Sequence, residues 1–215
     1  IHIKYLDILW TIIFISNFVH KFIGSSSNPA LYVFVNGGEL SHYNSEDLNS
    51  YGENIFINEL IPHIDKTYRT IPESFARGLE GFSQGGRGAT RYMFKYPELF
   101  GTVSAGGGSY AIEKLIQESS GYENDPRDNS EDIFFVGEGN DTWTLAKKHK
   151  DSGKKTPKLL LWSGDRDMNF ESIKNYSNYL KDLEIDYSSL IAKGVDHNSF
   201  AFYEVMGAGL FRFHE

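Results

Sequence analysis

Three residues spread along this chain have the types and surroundings needed to cleave an acyl bond. Gly81-Phe82-Ser83-Gln84-Gly85 is a G-x-S-x-G pentapeptide with a further glycine, Gly86, directly behind it. A serine hydroxyl is a poor nucleophile until a base takes its proton. Glycines two residues to either side give a strained strand-to-helix bend the room it needs to present the hydroxyl. The base expected is His197, in "AKGVDHNSF", and the acid that orients it comes from "WSGDRDMN", which offers Asp165 and Asp167. Serine, imidazole and carboxylate in that relation attack a carbonyl and pass through an acyl-enzyme. The Gln84 N–H, at the start of the helix after the serine, is placed to meet the forming oxyanion.

Six other histidines compete for the role of base. His2 and His20 fall in the N-terminal region, and His63 sits in a helical pattern beside Pro62. His149 lies within a lysine cluster and is expected to be solvated, and His214 is next to the last residue. His42 follows "NGGELS" on a loop and is a candidate pocket residue, as are Trp143 and Phe170. Only His197 combines a strand end, a preceding glycine turn at Gly194 and a place after the acids in chain order. Asp165 has a second reading as a loop brace that accepts from nearby backbone amides. Asp196 is too close to His197 in the chain to reach its far nitrogen.

The elements that must position these residues can be read from periodicity. "ALYVFV" (30–35) is β-rich and stops at a glycine turn, Gly37-Gly38. Apolar residues spaced by three and four over 53–67 predict an amphipathic helix that Pro62 would kink. Strands are predicted over 77–82, 100–105, 158–163 and 186–192, and helices over 86–96, 109–119, 142–148, 170–183 and 198–213. The stretch 120–156 is otherwise polar and loop-rich. Strands alternating with helices imply a mostly parallel sheet covered on both faces, with the site at the strands' C-terminal ends.

Composition narrows the function. With 215 residues, the chain is long enough for one α/β domain. A net charge of −8 argues against a nucleic-acid partner. The absence of cysteine excludes disulfides and thiolate chemistry. "ILWTIIFIS" (8–16) is the most apolar run and is too short to span a bilayer as a helix. No metal or cofactor is needed for the chemistry above. The compartment is left open, with secretion favoured over the cytoplasm, and the oligomeric state is not legible.

The segments "FINELIPHIDKTYRT", "GLEGFSQGG", "YPELFGTVSAGGGSY", "LLLWSGDRD" and "GVDHNSF" resemble the putative-esterase family of α/β-hydrolases. That family includes esterase D-like, feruloyl and acetyl xylan esterases and the mycolyltransferases. The resemblance implies an α/β-hydrolase-type, mostly parallel sheet with helices on both faces. It also implies Ser83 as nucleophile, His197 as base and Asp167, in a G-x-x-D pattern, as acid. The implied substrate is a small-molecule or polysaccharide-linked ester, carried on a carbohydrate or with an aromatic acyl group. Acyl transfer on the same triad, or an inactive carbohydrate-binding descendant, are the alternatives. One departure stands out: family members carry a longer N-terminal half, whose central strand ends in the loop that supplies a second oxyanion amide. This chain then reads as N-terminally truncated, with an irregular apolar segment over 1–29 and a catalytic domain over 30–215. Two repairs are open. Residues 8–16 fill the empty central slot, which is the favoured reading, or the 30–35 strand itself lies beside the serine strand and brings the Gly37 and Gly38 amides to the oxyanion.

Overall fold

The computed structural model describes residues 2–7, 30–35, 42–46, 49–110 and 139–215. Its frame is a six-stranded sheet built from β1 (His2–Asp7), β2 (Ala30–Val35), β5 (Arg77–Phe82), β6 (Thr102–Gly106), β7 (Lys158–Gly164) and β8 (Ser188–Ala192). The order is β2-β1-β5-β6-β7-β8, and every pairing is parallel. A two-residue ribbon, β3 (Asn44–Ser45) with β4 (Ser50–Tyr51), stands outside it.

The central slot is occupied, and by a segment that apolar content alone did not pick out. His2–Asp7 pairs with β2 on one side and with β5 on the other, so that Asp7 stands level with Val35 and Gly81. The favoured run, 8–16, lies outside the described residues. The alternative in which the 30–35 strand neighbours the serine strand is overturned, because β1 separates the two. Gly37 and Gly38 also lie outside the described residues. Residues 2–7 are a regular strand within the same sheet as 30–35, not an irregular lead-in to it.

Strands buried on both faces explain the near-continuous apolar runs. Leu79, Val103, Ala105, Leu159 and Leu161 face one core, while Leu160, Trp162 and Phe82 face the other. The first core is covered by α3 (Gln84–Lys95), α4 (Thr142–Ser152) and α5 (Phe170–Asp182), the second by α6 (Ser199–Met206). The helix predicted over 53–67 is real but composite. It runs as α1 (Gly52–Asn54), a π segment (Ile55–Leu60) and α2 (Ile61–Thr67). Pro62 cannot donate to a carbonyl four residues back and its ring crowds that carbonyl, and the wider turn absorbs both faults.

Two further helices differ from their predicted extents. α4 continues to Ser152 and is closed by Gly153 at φ 66°, because Lys150 and Asp151 extend the exposed face begun by Lys147 and Lys148 while His149 turns inward. The single helix predicted over 198–213 is broken at Gly207, whose φ of 54° ends α6 and starts α7 (Ala208–Arg212). His149 is not solvated. It is 4% exposed, its Nε2 lies 2.8 Å from Thr156 Oγ1, and burial pushes its imidazole below the usual value. The helix predicted over 109–119 falls outside the described residues from 111 onward.

A buried polar cluster ties α1 to α3. Glu53 accepts from Arg91 at 2.5 Å, Lys95 at 2.6 Å and the Tyr96 hydroxyl at 2.6 Å. Burial alone would raise the Glu53 carboxyl, but Arg91, Lys95 and Tyr96 together outweigh it and hold the group below the usual carboxylate range. A carboxyl depressed on folding stabilises fully above its ordinary value, and that contribution is lost as pH falls through the depressed one. Glu53→Gln is therefore expected to cost about 3 kcal/mol at neutral pH, because two cations lose their counter-charge. Urea melts at stepped pH should show the gap between variant and wild type narrowing in acid.

Candidate active site

β5 ends at Phe82 and α3 begins at Gln84, so Ser83 alone makes the bend. Its φ of 59° and ψ of −121° lie where a residue with a side chain rarely sits. The surroundings fix that geometry. The Ser83 N–H donates to Gly106 O at 2.7 Å, and Ser83 O accepts from Arg87 N at 3.1 Å. A Cβ on Gly81 would fall 2.1 Å from Gly85 O, and one on Gly86 would fall 2.3 Å from Gly106 O. Both glycines are required by backbone-to-backbone approach, which no side-chain shift can relieve.

His197 and Asp167 converge on this bend. His197 Nε2 lies 2.9 Å from Ser83 Oγ, and His197 Nδ1 lies 2.9 Å from Asp167 Oδ1. An ionised carboxylate can only accept, so this arrangement puts the proton on Nδ1 and leaves Nε2 to accept from the hydroxyl. The Asp167 side chain is 1% exposed and that of His197 is 19% exposed, so the carboxylate is shielded while the imidazole is reachable. Asp165 does something else. Its Oδ1 accepts from Gly194 N at 2.6 Å, which braces the loop carrying His197 against the loop carrying Asp167.

Two contributors had no clear signal in the sequence. Asn169 donates its backbone N–H to Asp167 Oδ1 at 2.8 Å and its Nδ2 to Gly107 O at 2.9 Å. It thereby pins the acid loop to the end of β6. Gly107, at φ 60°, lies under the imidazole, and a Cβ there would come 2.6 Å from the Phe82 ring and 3.1 Å from His197 Cε1. The triple glycine after β6 was the available hint for it. Phe82 packs at 4.6 Å between centroids on His197 and at 5.5 Å on Trp162, whose own ring lies over Gly106. Trp162 is stacked in turn on Phe202 at 4.2 Å.

Of the remaining candidates, Phe170 stays beside the Asp167 loop, while His42 packs on α3 and Trp143 on α5. His42 is 1% exposed, with its ring over Gly88 of α3 and against Tyr43. Burial, then the Arg87 and Arg91 charges, hold its imidazole well below the usual value. It is thus a buried neutral ring rather than an open pocket wall. Trp143 Nε1 donates to Tyr110 O at 3.0 Å, and its ring meets Tyr176 and Tyr179, which joins α4 to α5. Phe170 opens α5 half-buried, and its N–H donates to Asp167 O at 3.0 Å. Among the described residues no cluster of His, Asp and Glu could hold a metal ion, and no helix is long and apolar enough to cross a membrane.

A parallel sheet covered on both faces, with a serine on a strained bend between strand and helix, is the architecture of the α/β serine hydrolases. The family described as putative esterase matches residues 24–155, well over half of the chain, and the chain belongs to it. That match contains Ser83 but stops short of Asp167 and His197. Esterase Rv1288 of Mycobacterium tuberculosis is 30% identical over 94 residues, which is 42% of this chain and 21% of that protein. An endo-1,4-beta-xylanase/feruloyl esterase of Xylanibacter ruminicola is 32% identical over 79 residues, 36% of this chain and 10% of that protein. The chain thus aligns with only a small part of these curated relatives. Among solved structures, a ferulic acid esterase superposes with a TM-score of 0.74 at 20% identity, covering 100% of this chain and 86% of that one.

Proposed function

We propose that this chain is a serine carboxylic ester hydrolase that works through Ser83, His197 and Asp167. The observation that carries the reading is the pair of 2.9 Å contacts running from Ser83 Oγ through the imidazole to Asp167 Oδ1. Ser83 Oγ attacks the ester carbonyl as its proton passes to His197 Nε2. The Gln84 N–H, first in α3, faces the developing oxyanion with the positive end of the helix behind it. Collapse breaks the ester bond, and the imidazolium returns the proton to the departing alcohol. Water then adds to the acyl-enzyme with its proton taken by His197, and the free acid leaves as Ser83 regains its hydrogen. Asp167 keeps the ring in register and stabilises its cationic form.

The substrate class proposed is an acyl ester on a carbohydrate or with an aromatic acyl group. The feruloyl esterase names among the relatives and structural neighbours support that choice. Methyl ferulate and acetylated xylo-oligosaccharides, compared with p-nitrophenyl acetate, test it directly. Turnover of the simple ester without either natural-type ester would reject the substrate class while keeping the chemistry. Release that depends on an added alcohol acceptor would point to acyl transfer instead.

Asn169 is expected to act as a positioning residue for this chemistry. Asn169→Ala removes the tie to Gly107 O and lets the acid loop drift. A fall in kcat of about tenfold or more is expected, since displacements near 1 Å cost this much. KM and the melting temperature should barely change. An unchanged kcat would mean the backbone N–H of residue 169 holds Asp167 unaided.

A further inference from the structure

A cavity opens at the opposite rim of the sheet from Ser83. It has a volume of about 680 Å³, and its lining includes Thr102 and Lys158, the first residues of β6 and β7. Ser83 and Gly107 follow the other ends of strands in the same sheet, so the two places lie roughly 15–20 Å apart at about 3.3 Å per strand residue. Nothing in the hydrolytic chemistry above uses this cavity. Its size suits a small-molecule site.

Charge and shape on this rim point to one kind of ligand. The chain carries a net charge of −8, yet six lysines fall within 147–158. Three of them, Lys154, Lys155 and Lys158, line the cavity. Lys154 lies 3.7 Å from Glu98, whereas Lys155 and Lys158 form no ion pair among the described residues. Glu98 and Glu215 on the same wall offset the lysine charge, so the attraction is local to Lys155 and Lys158 rather than a broad positive field. Beside the lysines stands Phe75, 71% exposed, with Phe100 and Pro157 continuing an apolar wall. A large aromatic side chain exposed at the mouth of a cavity offers a flat face for a ring.

The floor is built in advance. The His214 ring is buried, with Nδ1 2.8 Å from Thr102 Oγ1 and Nε2 3.2 Å from Glu80 Oε2. It lies so close over β5 that a Cβ on Gly78 would fall 2.6 Å from its Nδ1. Glu80 also accepts from the buried Tyr203 hydroxyl, which locks the floor to α6. The floor of the cavity is therefore ordered before any ligand arrives.

We propose that this cavity binds a carboxylate borne on a ring with an apolar face, with Lys155 and Lys158 taking the carboxylate and Phe75 packing on that face. Aromatic acids and uronic-acid sugars share that chemistry. The test is a chemical-shift titration of the whole chain with 4-hydroxycinnamate in one arm and glucuronate in the other. Their uncharged counterparts, 4-hydroxycinnamide and glucose, serve as controls. Saturable shifts at Phe75, Gly101, Thr102 and Lys158 are expected with at least one acid, and the arm that responds names the source. Lys155→Glu combined with Lys158→Glu should weaken binding about tenfold or more, whereas Lys174→Glu on α5 should leave it unchanged. If the double variant does not fold, the wild type decides. Raising salt from about 20 mM to about 0.5 M must then weaken binding of the acid. The proposal is overturned by absence of saturable shifts at these four residues, by shifts confined to Gly107 and His197, by equal binding of the uncharged counterparts, or by indifference to salt or to the charge reversal.

Discussion

Replacing Ser83 with alanine is expected to reduce ester turnover by about 10⁶ in kcat while leaving the protein folded. The loss should be this large because the hydroxyl in contact with His197 Nε2 is that of Ser83. The imidazole contact at 2.9 Å is made to this oxygen, and the bend that presents it is set by backbone contacts to Gly106 and Arg87. Those contacts use main-chain atoms and survive the substitution. Alanine also keeps the same Cβ, so relief of strain at φ 59° is not a factor. The paired readouts are p-nitrophenyl acetate hydrolysis and covalent labelling by a fluorophosphonate. Both should vanish in Ser83→Ala with the melting temperature held. Persistent labelling at another residue would remove Ser83 from the reaction.

The second large effect is expected at the acid. Asp167→Asn should lower kcat by about 10⁴ with KM nearly unchanged. Asp167 Oδ1 accepts from both His197 Nδ1 and Asn169 N, so one oxygen holds the ring and the loop together. An amide offers a single acceptor oxygen and no negative charge. Turned one way it leaves the imidazolium unstabilised, and turned the other it donates to Nδ1 and selects the wrong tautomer. Asp165→Asn serves as the comparison. Asp165 engages Gly194 N rather than the ring, so a mild loss through loop slack is expected there. Equal losses at 165 and 167 would mean that the acid has been assigned to the wrong carboxylate.

The bend at Ser83 could be read locally because its requirements are local. A positive φ beside two close backbone approaches demands glycines at fixed offsets, and Gly81, Gly85 and Gly86 announce it. His197 was legible through chain order and the Gly194 turn. The choice between Asp165 and Asp167 was not settled by the residues alone, since both follow the same strand two positions apart. The structure separates them by where β8 ends, which brings Gly194 to one and the imidazole to the other. Asn169 was invisible, and Gly107 was hinted at only by its glycine run, because their bond joins residues 62 apart in the chain.

The sequence by itself determined the alternation of strands and helices, the serine bend, and the candidate base, because periodicity, glycine spacing and chain order are properties of short segments. Only the tertiary structure decided which N-terminal segment completes the sheet. Hydrophobicity favoured 8–16, but a central strand is selected by two open hydrogen-bonding edges at once, and His2–Asp7 is the segment in register with both β2 and β5. The same holds at the C-terminus, where a continuous apolar pattern is broken at Gly207 so that α6 can pack on Trp162 and Tyr203 can reach Glu80. Local pattern states what a segment can form, and the partners waiting in space state which of those forms it takes.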